Sequence, residues 1–278
     1  MSHRDGSEAG AVTAATVPAG GVGAAGRTLR WVAFGTVITA AVMDLLDSTI
    51  AQVAAPTIRS ELGGSYAVIE WVTAAYALAM AVGLLTGGRL GDIFGRRRVL
   101  LTGMAGFVLA SAACAAAQSA GELIGARAAQ GLLGAIMLPQ VFGLIRDMFE
   151  AHEMGKAFGV YGPVMGLSAM LGPIAAGGLI SANVLGTGWR MIFLVNVPVG
   201  LAALALGART LPAGLSGGAG AGEARPRRLD LPGALLAGTA MFLLVFPLAQ
   251  GHSLGWPAWP IGPGPGGNGC SPPALVCR

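Results

Sequence analysis

Seven apolar runs, at 31–55, 68–90, 99–117, 123–145, 157–180, 191–208 and 231–250, divide this chain of 278 residues, with short polar stretches between them. About 20 apolar residues in a helix cross about 30 Å of hydrocarbon, and these runs are of that order. The expected fold class is an all-α integral membrane protein. Composition agrees, with 54% hydrophobic and 11% charged residues and a mean hydropathy of +0.69. A soluble domain carries about a quarter charged residues, so a large soluble helical domain is excluded.

The stretch at 88–100, GRLGDIFGRRRVL, joins the second run to the third and holds Arg89, Arg96, Arg97, Arg98, Asp92, Gly88, Gly91 and Gly95. It reads as a short charged loop whose glycines let two helix ends turn tightly and approach another backbone. Excess Arg and Lys in short loops marks the cytoplasmic side, so this loop orients every other segment. With the amino terminus inside, Arg4, Arg27, Arg30, Arg146, Lys156, Arg209, Arg225, Arg227 and Arg228 join it there, while Arg59, Arg190 and Arg278 fall outside. The expected location is the inner or plasma membrane, multi-pass, with a cytoplasmic amino terminus. Trp31, Trp71, Trp189, Trp256 and Trp259 fall at span ends, where an amphipathic ring prefers the headgroup level. Residues 1–28, rich in Gly and Ala, read as a disordered cytoplasmic tail. They are no signal peptide, because the first apolar run is long and carries two aspartates.

Several function classes drop out. The basic residues lie in loops between spans rather than on one face, a distribution that topology alone produces and that argues against a nucleic-acid partner. Cys114, Cys270 and Cys277, like His3, His152 and His252, are scattered, so no metal site, no disulfide framework and no cofactor is expected. No soluble enzyme motif and no P-loop is present, and energy is expected from a proton gradient rather than from ATP.

The ionisable residues inside the runs are the candidate site. An acid near mid-membrane costs on the order of 3 kcal/mol and usually faces a cavity that serves an ion or proton path. Asp44 and Asp47 sit three residues apart in the first run, on one helix face. For Asp44, capping or packing is an equal alternative. Arg127, about one turn inside the fourth run, either snorkels to the outer surface or faces a carboxylate. The third run has no ionisable group and reads as packing. The fifth holds Gly159, Gly162, Gly166, Gly172, Pro173, Gly177 and Gly178, a groove for a neighbouring backbone with a bend at Pro173.

Together these stretches resemble the major facilitator superfamily. The loop signature G-x-L-x-D-x-x-G-R-R/K is matched at Gly88, Leu90, Asp92, Gly95, Arg96 and Arg97, and the fourth-helix motif R-x-x-Q-G-x-G at Arg127, Gln130 and Gly131, with Leu133 in place of a small residue. The fifth-helix antiporter motif is matched at Gly162, Gly166, Gly172, Pro173 and Gly177. LDSTIAQVAAP and WRMIFLVNVPVG are similar to two patterns of the drug/proton antiporters with fourteen helices, the latter at Trp189, Arg190, Ile192, Phe193, Asn196, Val197, Pro198 and Gly200.

The resemblance implies a six-helix amino-terminal bundle over 29–208, built from two inverted repeats, then a cytoplasmic linker at 209–230, a seventh helix at 231–250 and an irregular Gly/Pro-rich tail at 251–278. It implies proton-coupled efflux of lipophilic or cationic compounds, with Asp47 and Arg127 in coupling and Asp44 and Gln130 beside them. Gly88, Asp92, Gly95, Arg96 and Arg97 would form a conformational switch that docks against a second bundle. Implied partners are a small-molecule substrate, protons and the lipid bilayer, with the missing bundle supplied separately or by a homo-oligomer. The tail IGPGPGGNGCSPPALVCR matches no continuation of the family. It suggests a truncated or frameshifted half-transporter with no activity of its own.

Overall fold

The computed structural model describes residues 24–62, 66–182 and 186–211, together with 233, 236 and 238–243. The elements are α1 (Ala24–Leu62), α2 (Tyr66–Phe94), α3 (Arg96–Ala116), α4 (Ala120–Met148), α5 (Met154–Ala182), a 3-10 turn (Gly188–Arg190), α6 (Met191–Leu194) and α7 (Asn196–Thr210). In lipid only such intrasegment hydrogen bonding satisfies the backbone. Five of these segments are long and apolar enough to cross a membrane, or six if Glu70–Leu84 and Thr86–Phe94, which meet at 50°, count as one bent span. The turn, α6 and α7 form one such segment, Gly188–Thr210. It is interrupted at Val195 because Pro198 has no N–H to give the Leu194 carbonyl.

Local signals set the ends. Ser119 caps α4 by accepting from the Glu122 N–H at 3.3 Å, and the Glu122 carboxylate accepts from the Gln118 N–H at 2.8 Å, close to a capping box. Between α2 and α3 the expected loop shrinks to one residue. Gly95 has φ 90°, a conformation that costs other residues dearly, while Gly88 and Gly91 are helical residues of α2.

Small residues set the helix spacing, as they do where lipid offers no hydrophobic drive between helices. α2 lies along α4, and a Cβ on Gly87 would strike the Ala135 main chain, one on Gly131 the Tyr76 carbonyl, and one on Gly91 the Gln140 amide. The glycines of α5 behave otherwise. Gly172 abuts Thr49 of α1, whereas a Cβ on Gly162, Gly166 or Gly177 would meet nothing within 4 Å. The expected groove is filled at one position among the described residues, and α5 runs unbroken through Pro163 and Pro173.

Two apolar clusters fill the bundle. One, toward the arginine-rich end, includes Phe34, Met104, Phe107 and Leu144; the other includes Ile50, Leu123, Ile192 and Phe193. Trp189 belongs to the second and is fully buried against Phe193, not set at a headgroup level. At the arginine-rich end, Arg30 pairs with Glu153 at 2.7 Å and stacks on Phe149, whose ring meets Trp31 and Phe34 edge to face. Of the expected seventh helix, the described residues are helical and Gly238 lies against Val82. Residues 1–23 and the tail at 251–278 lie outside the described residues.

Two measurements test these contacts. Gly131→Ala should lower the thermal unfolding midpoint in detergent, since overpacking costs about 1–3 kcal/mol, whereas Gly162→Ala should hold or raise it through helix propensity. The hydrogen bond from Arg30 holds the Glu153 carboxyl below its ordinary value near 4.5. A depressed acid gives stability above its unfolded pKa and loses it as pH falls through the folded one. Glu153→Gln should therefore lower the midpoint at pH 7, and the difference should close as the pH drops below about 4.5.

Candidate functional site

Between the two apolar clusters each of four spans contributes polar side chains to one layer. α1 brings Asp44 and Asp47, α3 Ser111, α4 Arg127 and Gln130, and the last span Asn196; α2 adds Tyr76. All are buried, Arg127 at 1% exposure and Asp47 at 2%. The close packing of α2 on α4 at Gly131 brings Tyr76 beside Arg127.

Asp47 is the hub. Arg127 donates through Nη1 to its Oδ2, while Gln130 at 2.8 Å and Asn196 at 2.7 Å donate amide protons to its Oδ1. Every contact is a donor, which suits a carboxylate, an acceptor-only group. The same amides reach Ser111 Oγ at 2.8 Å and 3.3 Å, and the Gln130 carbonyl accepts from Arg127 at 2.8 Å. The guanidinium lies 4.3 Å from the Tyr76 ring centroid and 5.6 Å from that of Phe193, a desolvated cation–π setting. Its Nε has no partner among the described residues. Asp44 stands apart from this pair and accepts from the Tyr76 hydroxyl at 2.5 Å.

Arg127 also lines a cavity of about 530 Å³ between α1 and α2. The pair is thus buried from bulk water while one member touches an open space. That arrangement can exchange a proton for a separation of charges, because neutralising Asp47 removes the strongest partner that holds Arg127 in place. Arg127 does not snorkel to the outer surface in this structure but faces Asp47, and Asp44 is held by a hydrogen bond from Tyr76.

The expected switch residues gather at the arginine-rich end. Arg96 donates to Asp147 at 2.9 Å and to the Gly143 carbonyl at 3.2 Å, both near the end of α4. Its contact with Asp92 is longer, 3.3 Å, and Asp92 is 63% exposed. Such an exposed pair is worth at most about 1 kcal/mol, so Arg96–Asp147 is the stronger tie. Arg97 donates to the Ala208 carbonyl of α7 at 2.7 Å.

Sequence reading brought together Asp47, Arg127 and Gln130 and missed Tyr76, Ser111 and Asn196 as members of the layer. α3 was expected to pack only, yet its Ser111 accepts two hydrogen bonds. A lone serine among alanines carries no signal of that role. Asn196 did carry one, as the single amide inside a long apolar run. No group of three or more His, Cys, Asp or Glu residues able to hold a metal occurs among the described residues.

The model of the Major Facilitator Superfamily matches residues 37–275, further into the Gly/Pro tail than the motifs reach. A probable actinorhodin transporter of Streptomyces coelicolor is 48% identical, over 83% of this chain and 39% of its own length. The tetracenomycin C resistance and export protein of Streptomyces glaucescens is 40% identical, over 87% of this chain and 42% of its own. The chain therefore spans about two fifths of these relatives. Among solved structures, the proton:xylose symporter XylE matches with TM-score 0.59 over 82% of this chain and 54% of its own, at 14% identity, a likeness of fold.

The buried pair predicts a non-additive mutant cycle. Asp47→Asn or Arg127→Met alone should destabilise the detergent-solubilised chain by about 3–5 kcal/mol, because each strands a buried charge, and the double variant should cost less than either. Asn196→Ala should cost about 1 kcal/mol. Thermal unfolding of the four chains decides it, and additive losses would show that the two residues are not coupled.

Proposed function

The chain belongs to the major facilitator superfamily, and we propose that it is the proton-coupling half of an exporter of lipophilic small molecules. It is a multi-pass membrane protein of a transporter family, not an enzyme. The observation that carries the reading is the Asp47–Arg127 pair, buried among amide donors with Arg127 on the wall of a cavity.

Protonation of Asp47 removes the charge that pins Arg127. The guanidinium is then free to swing toward the cavity or to another acceptor, and loss of the proton draws it back. Proton and substrate thereby favour different arrangements of α1 against α4, which is what antiport requires. Gln130 and Asn196 hold the carboxylate in place through the cycle. Asp44 and Tyr76 form a second acidic position for a proton on its way to or from Asp47. The arginine-rich end, with Gly88, Asp92, Gly95, Arg96 and Arg97, faces the cytoplasm in this reading, and its Arg96–Asp147 tie is the hinge against which a second bundle moves. Relatives named as antibiotic transport, export and resistance proteins support the direction of transport.

Alternating access needs two bundles about a midplane site, and this chain covers about two fifths of its relatives' length. A second bundle completes the alternating-access unit in this reading.

In proteoliposomes with an imposed pH gradient, proton-driven dye movement should rise more steeply than linearly with protein density if two copies assemble. Strictly monomeric, inactive protein on crosslinking would mean that this chain alone is no transporter. Where transport occurs, Asp47→Asn should abolish its dependence on the gradient, and unchanged transport would remove Asp47 from coupling. Arg127→Lys should be nearly as damaging as Arg127→Ala, since an ammonium cannot keep the bonds of Nη1 to Asp47 and Gln130 while a planar group stacks on the Tyr76 ring.

A further inference from the structure

The cavity beside Arg127 has a wall whose chemistry restricts its occupant. Ser48 and Gln52 of α1, Thr73, Tyr76 and Met80 of α2, and Arg127 of α4 all line it. Each hydroxyl on that wall already donates its proton elsewhere: Ser48 to the Leu45 carbonyl at 2.8 Å, Thr73 to the Glu70 carbonyl at 3.0 Å, and Tyr76 to Asp44 at 2.5 Å. What these oxygens offer an occupant is lone pairs. A molecule that satisfies them must bring O–H or N–H donors. Charge restricts it further. Arg127 is the one charged side chain among the described lining residues, while Asp44 and Asp47 are 6% and 2% exposed and engaged behind the wall by Tyr76 and Arg127. A fixed cation would meet a guanidinium there and no carboxylate. The remaining surface is apolar, the Tyr76 ring and the Met80 thioether suit an aromatic face, and about 530 Å³ is room for a drug-sized molecule.

We propose that this cavity takes uncharged aromatic compounds bearing hydroxyl donors and rejects fixed cations. The proposal rests on the export reading for the cavity's role and narrows its substrate class away from cationic drugs. Gln52 is the position at which the preference turns, because a carboxylate in place of its amide would give the wall the countercharge a cation needs.

The test titrates the 278-residue chain in lipid nanodiscs, at a single pH of 7, with three planar fluorescent probes. Resveratrol is neutral there, since phenols ionise near pH 10; its trimethyl ether keeps the shape without donors; ethidium is a fixed cation. Empty nanodiscs give the background. Resveratrol should bind at least about tenfold more tightly than either alternative. Gln52→Glu should strengthen ethidium binding about tenfold. Ethidium or the ether bound as tightly as resveratrol, no probe bound above background, or a Gln52→Glu chain with no gain for ethidium would each overturn the proposal. No pH gradient is present, so the two readings fail separately. A chain with this preference that moves nothing across a membrane overturns the export reading alone, and one that exports ethidium in preference to resveratrol overturns this one alone.

Discussion

A carboxylate and a guanidinium that meet inside a membrane bundle set conditions that the rest of the molecule has to meet. Asp47 and Arg127 are each almost fully buried, and desolvating such ions costs several kcal/mol apiece unless their remaining hydrogen-bonding capacity is filled. That demand explains why amide and hydroxyl groups gather at the same depth: Gln130 of α4 and Asn196 of α7 donate to Asp47, and Ser111 of α3 accepts from both amides. Asn196, the first residue of α7, donates into the layer, and the ring of Phe193 in α6 lies 5.6 Å from the guanidinium.

The division of the core into two apolar clusters with a polar layer between them follows from the same demand. Interhelical hydrogen bonds in membranes average only about 0.6 kcal/mol, so the layer cannot hold the bundle together alone. Close contacts at Gly87, Gly91 and Gly131 bring α2 against α4, and the two clusters seal the layer from either end. α5 packs on α1 and gives Ala157 and Ala176 to the two clusters. It touches α1 at Gly172 but leaves Leu167, Met170 and Ile174 more than half exposed.

Spans were legible in the sequence because bilayer thickness and the cost of buried charge act on single segments. Asp47, Arg127 and Gln130 stood out for the same reason, as ionisable or amide groups in apolar runs. What escaped was set by pairs of helices. Gly88 and Gly91 looked like loop residues because glycine turns chains and also lets helices touch, and only the neighbouring helix decides which. The α5 glycines show the opposite case, a pattern that promised contact and meets open space among the described residues. Ser111 was hidden because serine and alanine are interchangeable as small packing residues until a donor arrives from another helix.

The separation of the central pair along the chain has a consequence for synthesis. Asp47 precedes Arg127 by 80 residues and Asn196 by 149. At about 5–20 residues per second, Asp47 is made roughly 4–16 s before its countercharge, and longer still before Asn196 follows. Throughout that interval Asp47 carries an insertion cost of about 2.5–3.5 kcal/mol without the guanidinium that relieves it. The first helix therefore cannot settle at its final depth when it is made. It must wait beside the insertion machinery or near the headgroups, and the arrival of α4 is the event that allows it to sink.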